Sequence, residues 1–182
     1  MQGLAGHASC GSHYNELKPL SAEIDSVKSD LAELQTYGDT YLPAGLVWGW
    51  RTLDSNAPFT ETKSDKKDEV NNVLLLMTDG SNTTTLNGTK EGFDGIYHWQ
   101  NVYSETQTND ANEITEELCT SIKAEDIQIV TIAFEVTDAT TKTLLKTCAS
   151  SGSDFYDATD TSELKAAFSK IGSGLMDVRL IR

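Results

Sequence analysis

The chain has 182 residues and a formal net charge of −14 at pH 7, because 28 Asp and Glu outnumber 14 Lys and Arg. This length suits one domain with its own core, and the hydrophobic fraction of 38% excludes wholesale disorder. The acidic balance argues against binding of nucleic acid or of anionic membranes. No apolar run reaches the roughly 18 residues of a membrane span, and the segment 1–30 lacks the basic and apolar regions of a signal peptide.

The first part of the chain favours two helices. The first helix is predicted to start at Pro19 and Ser21, and Gly38 lies just past its end. Its apolar residues recur at helical spacing and form one stripe: Leu20, Ile24, Val27, Leu31 and Leu34. A shorter helix is predicted over 44–53. The polar stretch that follows, 54–69, is interpreted as a solvated surface loop.

Three apolar segments then predict buried strands. Residues 73–77 form an uninterrupted apolar run, 127–134 are rich in β-branched side chains, and 155–157 make a shorter third segment. Helices are predicted between and after them, with starts at Asp110, paired with Glu113 in a capping box, at Asp138, and at Asp160, paired with Glu163. Alternation of strand and helix is typical of an α/β sheet with parallel strands.

The segment 81–109 interrupts this alternation. It is rich in Asn, Thr and Gly, carries several aromatic residues, and follows the C-terminal end of a predicted strand, where open α/β sheets place ligand crevices. A loop of this length is often functional. Two interpretations stay open: its aromatic residues bind a partner, or they pack the insertion onto the domain. Asn82-Thr83-Thr84 matches the glycosylation pattern, which occurs frequently by chance.

Asp79 is the residue best placed for chemistry. It follows the apolar strand 73–77 and precedes Gly80, so a tight turn would present its carboxylate at the crevice. An exposed carboxylate suits a hard cation such as Mg²⁺, which prefers oxygen ligands. The alternative is an ordinary Asp-Gly turn with no ligand.

The stretch Met77-Thr-Asp-Gly80, together with Gly38-Asp-Thr40 and the helix after it, resembles the von Willebrand factor A family. The resemblance implies a three-layer, doubly wound, Rossmann-like α/β fold. It also implies a metal-ion-dependent adhesion site, in which Thr40 would be the threonine ligand and Asp79 the aspartate ligand.

A finer resemblance is to the von Willebrand A domains of bacterial TadG-type proteins, which assemble tight-adherence pili. The segments that carry it are Gly45-Leu-Val-Trp-Gly-Trp-Arg51, Leu76-Met-Thr-Asp-Gly80, Leu144-Leu-Lys-Thr-Cys-Ala-Ser150 and 175–182. The resemblance covers the chain from about Cys10 onward. It implies a non-enzymatic protein-binding and assembly module, with pilus or envelope components as partners, on the periplasmic or cell-surface side of the envelope.

One departure from that family concerns the metal site. The family's Asp-x-Ser-x-Ser loop is absent from this sequence, and the nearest match, Asp160-Thr-Ser-Glu-Leu164, fails at its last position. Family members carry this loop, the first strands and a membrane anchor before the region that matches Cys10. The chain is therefore expected to be a partial domain, 1–182, without the N-terminal strands. An intact family member is expected to bind Mg²⁺. This chain alone is not expected to bind it tightly.

Three cysteines are too few for a disulfide scaffold. If the strands are laid down in consecutive order, right-handed crossovers bring the helices of Cys119 and Cys148 to one face of the sheet, where the two can form a bridge. Such a bridge fits the oxidising compartment that the resemblance implies. The alternative is a pair of buried thiols in a cytosolic domain, and Cys10 is left over.

Two other functions remain open. A generic von Willebrand A adhesion domain would bind host or matrix proteins instead of pilus components. A hydrolase using Asp79 and a divalent metal would need further carboxylates at strand ends, for which Glu135 and Asp157 are the candidates. No nucleophile elbow or zinc-ligand spacing supports an enzyme.

Overall fold

The computed structural model describes residues 17–34, 40–54, 59, 61, 71–86, 99–101 and 105–177. Most of the predicted surface loop 54–69 lies outside these residues, as does Cys10. The helices within them are α1 (Ile24–Ala32), α2 (Leu42–Leu53), α3 (Glu105–Ala124), α4 (Ala139–Cys148) and α5 (Thr161–Asp177). The strands are β1 (Val73–Thr78), β2 (Thr84–Leu86), β3 (Trp99–Asn101), β4 (Gln128–Phe134) and β5 (Phe155–Ala158).

The main sheet of the described region has the order β1-β4-β5, and all of its pairings are parallel. Val73 pairs with Gln128 at one end of the β1–β4 ladder and Thr78 with Ala133 at the other. The predicted α/β alternation with a parallel sheet is confirmed. Inside the predicted insertion 81–109, β2 and β3 form a separate antiparallel pair, and the residues between them lie outside the described ranges.

One face of the sheet holds the larger core. Because α2, α3 and α4 cover this face, side chains from all three helices meet alternate residues of β1 and β4. Its fully buried members include Leu46, Ile122, Ile129 and Leu145. Side chains of this size contribute about 1.5–3 kcal/mol each when buried, so this face supplies most of the described core.

The opposite face is covered by α5 alone among the described helices that pack on the sheet. Ala167 packs there against Ile132 and Ala158. This cover does not extend to β1, where Leu75 and Met77 stay 40% and 49% exposed. The sheet is therefore buried on both faces at β4 and on one face at β1.

Helix α2 approaches the sheet through Gly49. A Cβ at this position would come within 3.2 Å of Leu74 Cδ1, whereas one at Gly45 would meet nothing within 4 Å. Beside Gly49, the Trp50 indole donates to Glu125 Oε2 at 3.0 Å. Gly49 thus lets α2 pack closely on β1, and Trp50 bonds the helix to the turn after α3.

The start of α3 corrects the sequence-based expectation. The helix begins at Glu105 and not at Asp110, so the predicted capping box lies inside it. Ala111 and Thr115 are fully buried on the face that packs on the domain, and no Gly or Pro interrupts 105–110. Tertiary packing of this face therefore outweighs the local capping signal.

Helix α1 forms where the apolar stripe predicts a helix, but it begins at Ile24, directly after Glu23, whose amide donates to the Ser21 hydroxyl at 3.1 Å. Its stripe is not buried, since Ile24 and Leu31 are 68% and 61% exposed. The periodicity therefore predicts the helix correctly, while none of the described elements buries its apolar stripe.

The disulfide between Cys119 and Cys148 is formed. It joins α3 to α4 with the two Cα atoms 5.2 Å apart, and both side chains are buried. Lys123, one turn after Cys119, donates to the carbonyl of Thr147 at 2.9 Å. The predicted bridge and the placement of both helices on one face are confirmed. None of the described helices is long and apolar enough to cross a membrane.

Candidate functional site

The candidate site is the loop Asp79–Thr83, which leaves β1 at the carboxyl end of the sheet. Its first turn is held by Thr78, whose buried hydroxyl donates to the carbonyl of Gly80 at 2.9 Å and lies 3.2 Å from the Gly80 amide. Between these two residues the Asp79 side chain is exposed. The turn thus fixes the backbone on both sides of the carboxylate.

Ser81 fastens the same loop to the N-terminus of α4. The hydroxyls of Ser81 and Thr141 lie 2.8 Å apart in a hydrogen bond. Asp138 caps this helix, because its Oδ2 accepts the Thr141 amide at 2.6 Å. Hydrogen bonds from the Thr141 hydroxyl and amide, with smaller contributions from Thr140 and Ser81, hold the pKa of Asp138 below its usual value.

Asn82 fastens the loop to two further helices. Its side chain is only 3% exposed, so each of its polar atoms needs a partner. Its Oδ1 accepts the Leu42 amide at 2.8 Å, at the first residue of α2, and its Nδ2 donates to Asn112 Oδ1 of α3, also at 2.8 Å. Because α2 has no capping side chain of its own, Asn82 serves as its cap from a distant part of the chain.

Thr83 brings the segment of Thr40 to the loop. The Thr83 amide donates to the Thr40 carbonyl at 2.9 Å, and the Thr83 hydroxyl accepts the Thr40 amide at 2.7 Å. The structure therefore brings the two sequence-predicted residues, Thr40 and Asp79, onto one bonded frame. Beside Thr40, burial raises the pKa of Tyr41.

Asp79 itself is the exception in this loop. No hydrogen bond or ion pair joins its carboxylate to any of the residues with described positions, whereas the side chains of Thr78, Ser81, Asn82 and Thr83 are all engaged. The loop is thus held by the hydrogen bonds of its neighbouring side chains, while the exposed Asp79 carboxylate has no partner among the described residues.

The donors present do not complete a magnesium site. Mg²⁺ requires about six oxygen ligands in octahedral geometry, and the two predicted donors are the Thr40 hydroxyl and the Asp79 carboxylate. In the described part of the chain, no group of three or more His, Cys, Asp and Glu side chains is placed to hold a metal ion. The two predicted donors are therefore too few to surround Mg²⁺ by themselves, and its other ligands would be water or residues beyond those described.

The carboxylates considered for a hydrolase have other surroundings. The Asp157 carboxylate is paired with Lys142 at 2.8 Å. Glu135 has a positive φ of 53°, and its amide donates to Ala158 at 2.8 Å. Neither residue is hydrogen-bonded to the loop Asp79–Thr83 in the described structure.

Sequence reasoning did not identify the residues that hold this site together. Asp138 was predicted as a helix cap and is one, but Ser81 was not singled out, and Asn82 and Thr83 were considered only as part of a glycosylation pattern. Their partners lie thirty or more residues away. A single sequence carries no sign of such contacts.

No family model and no curated protein matches this chain. Among solved structures it is similar to the pilus adhesin SpaC from Lactobacillus rhamnosus GG, with a TM-score of 0.57 at 14% sequence identity. The match covers 82% of this chain and 20% of the adhesin. At this identity the likeness concerns the fold, and the mixed α/β architecture with a parallel sheet is shared with part of a much longer protein.

Proposed function

We propose that this chain is a non-enzymatic protein-binding and assembly module, resembling the von Willebrand A domains of TadG-type pilus proteins. The observation that carries the proposal is the free, exposed carboxylate of Asp79 on a loop whose neighbouring side chains are all bonded. A site of this kind binds with little loss of conformational entropy, because its backbone is already ordered.

The contact at this site is between proteins and breaks no bond. Asp79 receives a basic side chain or an amide of the partner, and such charge-assisted hydrogen bonds are stronger than those between neutral groups. The helix that begins at Leu42 and the short strands of the 81–109 insertion follow directly from the bonded frame. These segments supply the surrounding surface for the partner.

The role of Mg²⁺ follows from the incomplete donor set. Thr40 and Asp79 are two of the ligands that the family resemblance implies, and an intact member would add the missing oxygen donors. When bound, Mg²⁺ would supply a positive charge at the crevice. This chain alone is proposed to hold no metal tightly, and its partner contact does not depend on one.

The pilus adhesin among solved structures supports a pilus-related role through its fold. It also favours the second candidate function, direct adhesion to host or matrix proteins, since that protein is an adhesin. The buried disulfide is compatible with either role on the outer side of a bacterial envelope, because disulfides persist in oxidising compartments.

Affinity capture distinguishes the two candidates. The immobilised chain is exposed to solubilised envelope proteins of a bacterium that makes tight-adherence pili and, separately, to host matrix proteins, and bound proteins are quantified by mass spectrometry. Enrichment of pilus components that is lost with Asp79→Asn supports the assembly role. Enrichment of matrix proteins alone supports adhesion.

The control variant is Glu117→Gln, which removes one charge from the exposed surface of α3. It should capture the same proteins as the wild type. If Asp79→Asn captures them equally well, the site assignment is wrong even though a binding role could survive.

A further inference from the structure

Two consecutive residues of the candidate loop bond to two different helices. Ser81 bonds to Thr141 in the first turn of α4, and Asn82 bonds to Asn112 on α3, each at 2.8 Å. The peptide bond fixes the Cα atoms of neighbouring residues about 3.8 Å apart. Ser81 and Asn82 therefore cannot follow α3 and α4 if these helices move apart, and one of the two hydrogen bonds would have to break.

The disulfide joins the same two helices at a second point. On α3, Cys119 follows Asn112 by about two helical turns. On α4, Cys148 follows Thr141 by about the same interval. Each cysteine thus lies on the same side of its helix as the residue that bonds the loop. The loop and the bridge are two connections between one pair of helices, about 10 Å apart along their axes.

The bridge is the stronger of these two connections. It is covalent, it holds the two Cα atoms 5.2 Å apart, and both of its side chains are buried. Beside it, Lys123 donates to the Thr147 carbonyl at 2.9 Å, but this contact is exposed, so water competes for both groups. Loss of the S–S bond therefore removes the firmest described limit on movement of α3 against α4.

We propose that the Cys119–Cys148 bridge is a positioning element of the Asp79 site. It holds α3 and α4 at the separation that Ser81 and Asn82 span, so the loop is ordered in the oxidised chain and opens locally in the reduced one. The site is therefore complete only after the chain reaches an oxidising compartment. The effect on partner binding rests on the function proposed above, whereas the ordering of the loop does not.

A disulfide that only stabilises the fold would act differently. In the chain-entropy model it constrains the unfolded chain. Its loss then speeds the exchange of amides that open by global unfolding and leaves local openings unchanged. Loss of a positioning element changes the local openings themselves. Hydrogen exchange of the loop amides without denaturant, followed by NMR, distinguishes the two effects.

The test compares the oxidised and reduced forms of the wild-type chain. Excess dithiothreitol in urea breaks the S–S bond, giving two electrons and two protons to the sulfurs and becoming a cyclic disulfide, and the chain is refolded in the reductant. The Thr83 amide, which donates to the Thr40 carbonyl, and the Leu42 amide, which donates to Asn82, should exchange at least about tenfold faster in the reduced form. Reoxidation in urea by glutathione disulfide, which leaves as two thiols, should restore slow exchange.

Ile132→Ala is the control for a general loss of stability. Ile132 is fully buried on the opposite face of the sheet, against Ala158 and Ala167, so its truncation lowers stability without touching the loop. In this oxidised variant the Thr83 and Leu42 amides should exchange as in the wild type. The proposal is overturned if reduction leaves these two amides unchanged, or if Ile132→Ala speeds them as much as reduction does.

A second measurement applies if the reduced chain does not refold. Coupling between two sites is reciprocal, so weakening the loop contact must also loosen the bridge. Asn112→Ala removes the bond to Asn82, and dithiothreitol should then reduce the folded, oxidised chain at least about fivefold faster than it reduces Ile132→Ala. Reduction through global unfolding would instead favour Ile132→Ala, which loses a large buried side chain. Equal or slower reduction of Asn112→Ala would contradict the coupling.

Capture of envelope and matrix proteins by the oxidised and reduced chains keeps this proposal apart from the proposed function. The oxidised form should retain at least about fivefold more of the bound protein. If the loop amides differ but neither form captures protein, the proposed function fails and the positioning role stands. If the loop amides differ and both forms capture equally, the link between the bridge and binding is wrong.

Discussion

The side-chain oxygen of Asn82 accepts the backbone amide of Leu42 at 2.8 Å, so a residue in the loop after β1 caps a helix that begins forty residues earlier in the sequence. This contact joins the two segments that carry Asp79 and Thr40. The integrity of the candidate site therefore depends on a buried side-chain amide that joins these two segments.

Replacing Asn82 with Ala should reduce the free energy of unfolding by about 1–3 kcal/mol, because the buried amide of Leu42 loses its acceptor. Urea denaturation monitored by circular dichroism gives this value. The comparison is Asn112→Ala, which removes only the bond to Nδ2 and should cost less. Equal stability of Asn82→Ala and the wild type would show that water replaces the cap.

The two glycines of α2 provide a matched pair. Gly45→Ala should stabilise the chain by about 0.5–1 kcal/mol, since Ala is the better helix former and its Cβ meets nothing. Gly49→Ala gains the same propensity but places its Cβ 3.2 Å from the buried Leu74. It should therefore be less stable than Gly45→Ala by about 1 kcal/mol. Thermal unfolding of the two variants measures the difference, and equal stabilities would contradict the close approach.

Removal of the disulfide should lower the free energy of unfolding by about 3–4 kcal/mol in the chain-entropy model, because Cys119 and Cys148 are separated by 29 positions. The Cys119→Ala/Cys148→Ala variant measures this loss by urea denaturation. Both sulfurs are buried, so mild reductant should leave the folded wild type oxidised. Rapid reduction of the native protein would contradict that burial.

Acid should weaken the N-terminus of α4. The folded-state pKa of Asp138 is below its ordinary value because Thr141 donates to it. Its contribution to stability is therefore complete above the unfolded-state pKa of about 3.9 and is lost as the pH falls through the lower, folded-state pKa. Asp138→Ser keeps a neutral cap and should lack this part of the acid loss, whereas Asp138→Ala should already cost about 1 kcal/mol at pH 7. Unfolding curves recorded from pH 7 to pH 2 measure the free energy of unfolding of each variant. If it had the same pH dependence in the wild type and in Asp138→Ser, the role of the Asp138 charge would be contradicted.

Local patterns in the sequence predicted the parts of the fold that local physics determines. The uninterrupted apolar run at Val73 and the β-branched run ending at Phe134 became parallel strands, and Asp138 became a helix cap. The pairing of Cys119 with Cys148 followed from consecutive strand order and the fixed hand of the crossovers.

What the sequence did not predict depends on contacts between distant segments. The capping signal at Asp110 was outweighed by burial of Ala111 on α3. The roles of Asn82 and Thr83 arise only when α2 and the Thr40 segment fold against the loop. A polar residue in such a loop has the same local sequence whether it is solvated or buried.

The role of Asp79 is tested most directly by the affinity of the chain for its captured protein partner. Calorimetry measures this affinity for the wild type, Asp79→Asn and Glu117→Gln, each in Mg²⁺ and in EDTA. Asp79→Asn should bind at least about tenfold more weakly, a loss of about 1.4 kcal/mol. Glu117→Gln should bind like the wild type, and EDTA should change the affinity of none of the three. Unchanged affinity of Asp79→Asn would contradict the assignment of Asp79 as the contact residue, and loss of wild-type binding in EDTA would contradict a contact that is independent of metal.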